Sequence, residues 1–177
     1  ADTRAAERAA LEEFVRFVEA RRAAHPGMRV YHYAPYEVTA LKRLTVRHGV
    51  GERELDDWLR AGLFVDLYST VRASLRAGVP SYSIKRLEPL YMGADHRAED
   101  GVTTAADSVA EYHAYALAAE AGAAEEAARL RAGIEEYNRY DCVSTARLRD
   151  WLRAQVDPAE VATVPEAPGG VAGEEEL

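Results

Sequence analysis

Cysteine is almost missing from this chain. Cys142 is the only one among 177 residues, so no disulfide can form within a chain, and a reducing, cytoplasmic setting is expected. No apolar run reaches the length of a membrane span, and the start of the chain has no signal-peptide pattern. Walker A, G-x-G-x-x-G and G-x-S-x-G stretches are all absent, which removes most nucleotide, dinucleotide and serine-hydrolase chemistry. The five histidines, His25, His32, His48, His96 and His113, include no pair at close ligand spacing. With a single cysteine, that argues against a structural zinc site. No repeat of fixed period occurs.

Basic residues are absent from 157–177, which holds six acids, three prolines and three glycines. That segment reads as a disordered tail or a linker, and residues 1–156 as one domain large enough for a real core. The formal net charge of −8 is concentrated in the tail. Subtracting its six acids from 30 leaves 24 acidic against 22 basic residues, a balance of −2. A nearly neutral body neither demands nor excludes nucleic acid, because local basic patches and metal ions offset acidic sites. The remaining chemical candidates are carboxylates, a tyrosine and a divalent ion.

Residues 3–24 read as an amphipathic helix capped by Asp2 or Thr3, with Leu11, Phe14, Val15 and Val18 inward. His25-Pro26-Gly27 ends it, and Arg29–Tyr33 follows as a β-rich strand. Pro35 then opens a helix with Val38, Leu41 and Leu44 inward. Glu37 falls in its first turn, just past the strand. That is a place for chemistry in α/β folds, and equally a place for an acid that suits the helix dipole.

Glu52–Arg60 is a further helix, and residues 63–66 form a buried strand ending in Asp66. Asp66 is either the N-cap of the next helix, residues 67–75, or a catalytic acid. After the turn at 78–80, Ser81 to Leu87 begins a short helix with Ser83 as its cap. Ser81, Ser83, Lys85 and free N–H groups there could receive a phosphate, or the serines are caps only. Residues 94–103 read as a polar surface loop, and 104–121 as an Ala-rich helix carrying Tyr112 and Tyr115.

The most informative stretch is Ile134 to Trp151, a continuation of helical residues 123–131. Ile134, Tyr137, Asp141, Thr145, Leu148 and Leu152 recur at steps of three and four and share one face. Glu135, Glu136, Arg139, Arg147, Arg149 and Asp150 occupy the other. Asp141 sits where the helix should press on a core, and a buried carboxylate costs several kcal/mol, roughly, unless it is paired. The partner could be an arginine, backbone amides or a metal ion. Tyr137 lies one turn before it.

Tyr137-Asn-Arg-Tyr-Asp141 resembles the third motif, Tyr-x-x-x-Asp, of DEDD-type 3′–5′ exonucleases of the tyrosine subclass. Tyr33-Ala-Pro-Tyr36-Glu37 resembles their second motif, usually Asn-x-x-(Phe/Tyr)-Asp. Phe64-Val-Asp66-Leu-Tyr and Ser81-Tyr-Ser-Ile-Lys85-Arg-Leu are similar to connecting segments of the YprB-type ribonuclease-H-like domain. VYHYAPYE and YNRYDCVSTARLRDWL look like the version found in RecB-like nucleases. The resemblance covers about residues 10–155, and its specificity lies in the combination. Glu37 stands where the pattern has Asp, and Tyr33 where it has Asn. The first motif, Asp-x-Glu on the first strand, occurs nowhere in the chain.

The resemblance implies an α/β, ribonuclease-H-like fold that is here mostly helical with two parallel strands, three earlier strands and two metal-binding acids lying upstream. It implies hydrolysis of DNA or RNA with two Mg²⁺ or Mn²⁺ ions about 4 Å apart. Asp141 and Glu37 would be metal ligands, Asp66 an outside candidate, and Tyr137 would orient the attacking water. RecB-type nuclease and helicase domains in the same protein are the implied partners. Glu37 and Asp141 should converge at the C-terminal end of the Arg29–Tyr33 strand. Two rival readings stay open. One is a non-catalytic nucleic-acid scaffold, which the Glu37 departure favours. The other is a helical interaction domain with Asp141 paired to an arginine.

Overall fold

The computed structural model describes residues 3–96 and 105–156. The first helix, α1 (Arg4–Ala24), is capped by Thr3, whose hydroxyl accepts from the Ala6 N–H at 3.1 Å. Strand β1 (Val30–His32) leads into α2 (Tyr36–His48), then α3 (Glu52–Arg60) and strand β2 (Phe64–Asp66). Three further helices follow, α4 (Leu67–Ser74), α5 (Ile84–Tyr91) and α6 (Ala105–Glu120), and the last is α7 (Ala124–Ala154). Both strands are shorter than the sequence suggests, since only three residues of each enter the ladder.

β1 and β2 pair in parallel, with Val30 opposite Phe64, Tyr31 opposite Val65 and His32 opposite Asp66. Their side chains alternate between two cores, as a period of two requires. Val30 and Phe64 pack with Val18, Leu55, Trp58 and Leu63 under α1, α2 and α3. Tyr31 and Val65 pack with Leu67, Val71, Leu87 and Leu148 under α4, α5 and α7. The small sheet is therefore the middle of three layers, an α/β arrangement with helices on both faces.

Polar bonds fasten the first layer. The Trp58 indole donates to Glu19 at 2.7 Å. The C-terminal end of α2 is held by α1: Glu7 bonds the buried His48 ring at 2.7 Å and Arg8 donates to the His48 carbonyl at 3.1 Å. Phe14, expected inward, is only partly covered and meets Trp58 edge-on at 6.2 Å.

On the other side, α6 lies along α7, and the turn between them uses Gly122 at φ 70°, a conformation that favours glycine. The reading of 94–103 as one loop changes in part. Gly93–Asp95 is a 3-10 turn tied to α7 by an Arg147–Asp95 ion pair at 2.8 Å, while residues 97–103 lie outside the described residues. The tail assigned to 157–177 also lies outside them.

Candidate functional site

The C-terminal ends of the two strands carry one group of the candidate residues. Pro35 is the N-cap of α2 and offers no side-chain acceptor. Between strand and helix, Ala34 takes φ 66°, the left-handed region that an L-residue enters at a cost of about 1–2 kcal/mol. Asp66 holds it there: its Oδ1 accepts from the Ala34 N–H at 2.9 Å and from the Tyr68 N–H at 2.9 Å. Its Oδ2 accepts from the Ser69 hydroxyl at 2.8 Å. Asp66 is thus the N-cap of α4 and also the clasp that joins the ends of β1 and β2.

Burial works against the charged form of Asp66. The bonds from Ser69, Ala34 and Tyr68, with His32 nearby, outweigh it and hold the carboxyl below the usual range. A depressed pKa contributes stability that is present above the unfolded-state value and is lost as the pH falls through the folded-state value. Asp66→Ala is therefore expected to cost about 2–3 kcal/mol at neutral pH, from a lost cap and a lost charged hydrogen bond. Urea denaturation of both proteins checks it. The gap should narrow as the pH drops below about 4, and a gap that stays constant with pH would show that the charge of Asp66 is irrelevant.

Glu37 lies in the first turn of α2, with its side chain 50% exposed and one oxygen 3.7 Å from His32 Nδ1. His32 itself is buried. Its Nδ1 is 2.7 Å from the Ala34 carbonyl, which can only accept, so Nδ1 carries the hydrogen. His32 escaped the sequence reading. Its strand position beside an acid was the available signal. Tyr33 points to the opposite core, where its hydroxyl donates to the Tyr82 carbonyl and its ring meets Tyr68 edge-on at 5.5 Å. Burial, with Tyr68 and Asp66 adding, pushes the Tyr33 phenol up to about 12, so Tyr33 stays neutral and donates.

The other candidate residues lie on α5 and α7. Tyr137 and Asp141 are both half-buried, one turn apart on the stripe of α7 that faces the body. The Lys85 ammonium sits 5.8 Å from the centre of the Tyr137 ring, near enough for cation–π attraction. Ser83 is the N-cap residue of α5 but makes no side-chain cap bond, and Ser81 and Ser83 are both exposed.

The conflict that the spacing placed at Asp141 is strongest elsewhere. The fully buried polar residue of the stripe is Ser144, at 0% exposure, and the buried acid facing it is Glu88, at 1%. Ser144 donates to Glu88 Oε1 at 3.2 Å, and Tyr140 lies 3.2 Å from Oε2. Tyr91 and Ser144 bond through their hydroxyls at 2.8 Å. Burial, opposed by Ser144 and helped by Glu88, Tyr33 and Tyr140, raises the Tyr91 phenol far above its ordinary value. Glu88 was legible in principle: Ile84, Leu87, Glu88 and Tyr91 share one helical face.

Among the described residues, no group of three or more His, Cys, Asp or Glu side chains is placed to hold a metal ion. Asp66 already serves three donors, and Glu37 is half exposed beside a buried histidine. The described residues alone therefore do not fit a two-ion centre, which needs several hard oxygen ligands close together. No helix among them is long and apolar enough to cross a membrane.

A protein-family model described as the RNase H superfamily matches residues 1–153. No curated protein and no solved structure matches the chain.

Proposed function

This chain belongs to the RNase H superfamily, and on that premise we propose that it is part of a metal-dependent nuclease that hydrolyses phosphodiester bonds of DNA or RNA. The 3′–5′ exonuclease reaction of the tyrosine subclass is the form of that reading with most support. The observation that carries it is the placement of three residues in a chain of this family. Glu37 follows the C-terminal end of β1 in the two-stranded parallel sheet, while Tyr137 and Asp141 lie one turn apart on the inner stripe of α7.

The residues have distinct tasks in this reading. Asp141 and Glu37 are the acids that would hold the ion, and Asp66 holds the turn at Ala34 that leads to Glu37. Tyr137 offers a hydroxyl to the attacking water. Lys85, with Ser81 and Ser83 at the start of α5, offers a cation and N–H groups to a backbone phosphate. A divalent ion, Mg²⁺ or Mn²⁺, would stabilise charge on the phosphate oxygens when bound. The remaining acidic ligands would come from a segment outside these 177 residues, and RecB-type nuclease and helicase domains are the expected neighbours in a larger cytoplasmic protein.

One observation favours a second reading, a nucleic-acid-binding scaffold without catalysis: no metal-holding group exists among the described residues. Cleavage assays separate the two. The 177-residue chain and a version extended upstream are incubated with single-stranded DNA and RNA, with Mn²⁺ and with a chelator. The nuclease reading expects metal-dependent cleavage by the extended version and none by the 177-residue chain. Binding without cleavage in both would establish the scaffold.

A further inference from the structure

We propose that Glu88 is a positioning residue: buried between α5 and α7, it sets the register in which Lys85 meets Tyr137 and in which Asp141 is presented. The register rests on geometry alone, while its consequence for cleavage rests on the nuclease reading above.

The contacts between the two helices advance together along both chains. Lys85 meets Tyr137, Glu88 meets Tyr140 and Ser144, Tyr91 meets Ser144, and Met92 meets Arg147. The helices therefore run in the same direction. Lys85 is one turn before Glu88, and Tyr137 is one turn before Tyr140. Whatever fixes the second pair fixes the first.

Apolar packing alone would fix it poorly, because a leucine in this position tolerates a slide or a small rotation of one helix against the other. A carboxylate between hydroxyls does not. Its bonds are directional, and at 3.2 Å, already longer than the roughly 2.5–3.0 Å usual for O–H···O, they are lost on a further slide of a few tenths of an ångström. The one hydrogen of the Tyr140 hydroxyl is shared between Glu88 Oε2 at 3.2 Å and the Asp95 carbonyl at 2.9 Å, so the contact reaches the 3-10 turn after α5.

Two features bear on why an acid stands here. Burying a carboxylate is costly unless its oxygens are bonded, and Glu88 keeps a hydroxyl at each of its oxygens. In addition, Pro89 sits inside α5 directly after Glu88. Proline has no N–H, so the Lys85 carbonyl loses its partner four residues on, and the helix is weakened at the residue that meets Tyr137. With that backbone bond missing, the side-chain bonds at Glu88 bear more of the placement of α5 against α7.

The test uses the 177-residue chain. In NMR spectra the Lys85 ε-methylene signals carry a ring-current shift from Tyr137, defined as the part that Tyr137→Leu removes. Far-UV circular dichroism monitors the helices. Glu88→Leu is expected to keep the helical spectrum and bring the Lys85 shift to its Tyr137→Leu value. Glu88→Gln, which can still accept from Ser144, should retain most of it. Should Glu88→Leu fail to fold, Ser144→Ala removes one bond of the lock and is expected to reduce the Lys85 shift by itself.

A wild-type Lys85 shift in folded Glu88→Leu or in Ser144→Ala would overturn the proposal. In the extended, cleaving protein, Glu88→Leu should lower kcat on the order of 100-fold with KM little changed, as expected when reacting groups are misplaced. A lost Lys85 shift with unchanged cleavage would remove the functional half and keep the register. Undiminished cleavage in Asp141→Asn would instead count against the nuclease reading itself.

Discussion

Asp141→Asn is expected to abolish metal-dependent cleavage in a version of this protein that cleaves, by at least about 100-fold, and to leave the fold in place. Loss of an outer partner of a metal ligand costs about 10–100-fold, and on the nuclease reading Asp141 is itself a ligand, whose lost charge should cost more. The neutral amide is nearly isosteric with the acid but a poor ligand for a hard cation. The fold is spared because Asp141 is only half-buried, and the fully buried neighbour on the stripe is Ser144, one turn on. Tyr137→Phe removes one hydroxyl while keeping a ring under Lys85, so its loss should be smaller. Initial rates with Mn²⁺, beside melting curves of the same samples, make the comparison. Full activity in Asp141→Asn would place the reaction elsewhere.

Leu148→Ala is expected to have the largest effect on stability, about 2–5 kcal/mol. Leu148 is 0% exposed, and it packs from α7 onto Leu67, Val71 and Leu87 beneath the sheet. Removing its branched end leaves a cavity that three separate helices would have to move to fill. For a chain of this size each kcal/mol lowers Tm by roughly 2–4 °C. Leu117→Ala on α6 is the control: Leu117 is 53% exposed, and a change there should stay within about 0.5 kcal/mol. Equal melting shifts for the two would show that α7 is not held by this cluster.

These outcomes follow from elements that differ in how far the sequence reveals them. Local signals are strong for α3, whose bounds, Glu52 and Arg60, and inward residues Leu55 and Trp58 are readable from spacing. They are strong for a cap of α1 at Asp2 or Thr3, which the structure assigns to Thr3, and for α7 as one continuous helix, because these depend on hydrogen bonds and periodicity within a few residues. The parallel pairing of β1 and β2 was expected from the family resemblance, and the register agrees with it. The order of motifs also pointed to the ribonuclease-H-like fold that the family match supports.

The sequence by itself determined most of the helices and excluded a disulfide within the chain, since each depends on composition or on neighbours close along the chain, while the α/β class came through the family resemblance. Spacing identified Asp141 and Tyr137 as sharing a face, but not how deeply that face is covered. That depends on α5 and on the 3-10 turn after it, which are more than forty residues away in the chain. Only the tertiary structure placed the deepest acid at Glu88 rather than Asp141. It alone decided that Asp66 spends its oxygens on Ala34, Tyr68 and Ser69, because the Ala34 donor is 32 residues away and is brought near by strand pairing. A periodic pattern reports which side of a helix turns inward; what waits there to meet it is set by the packing of the whole chain.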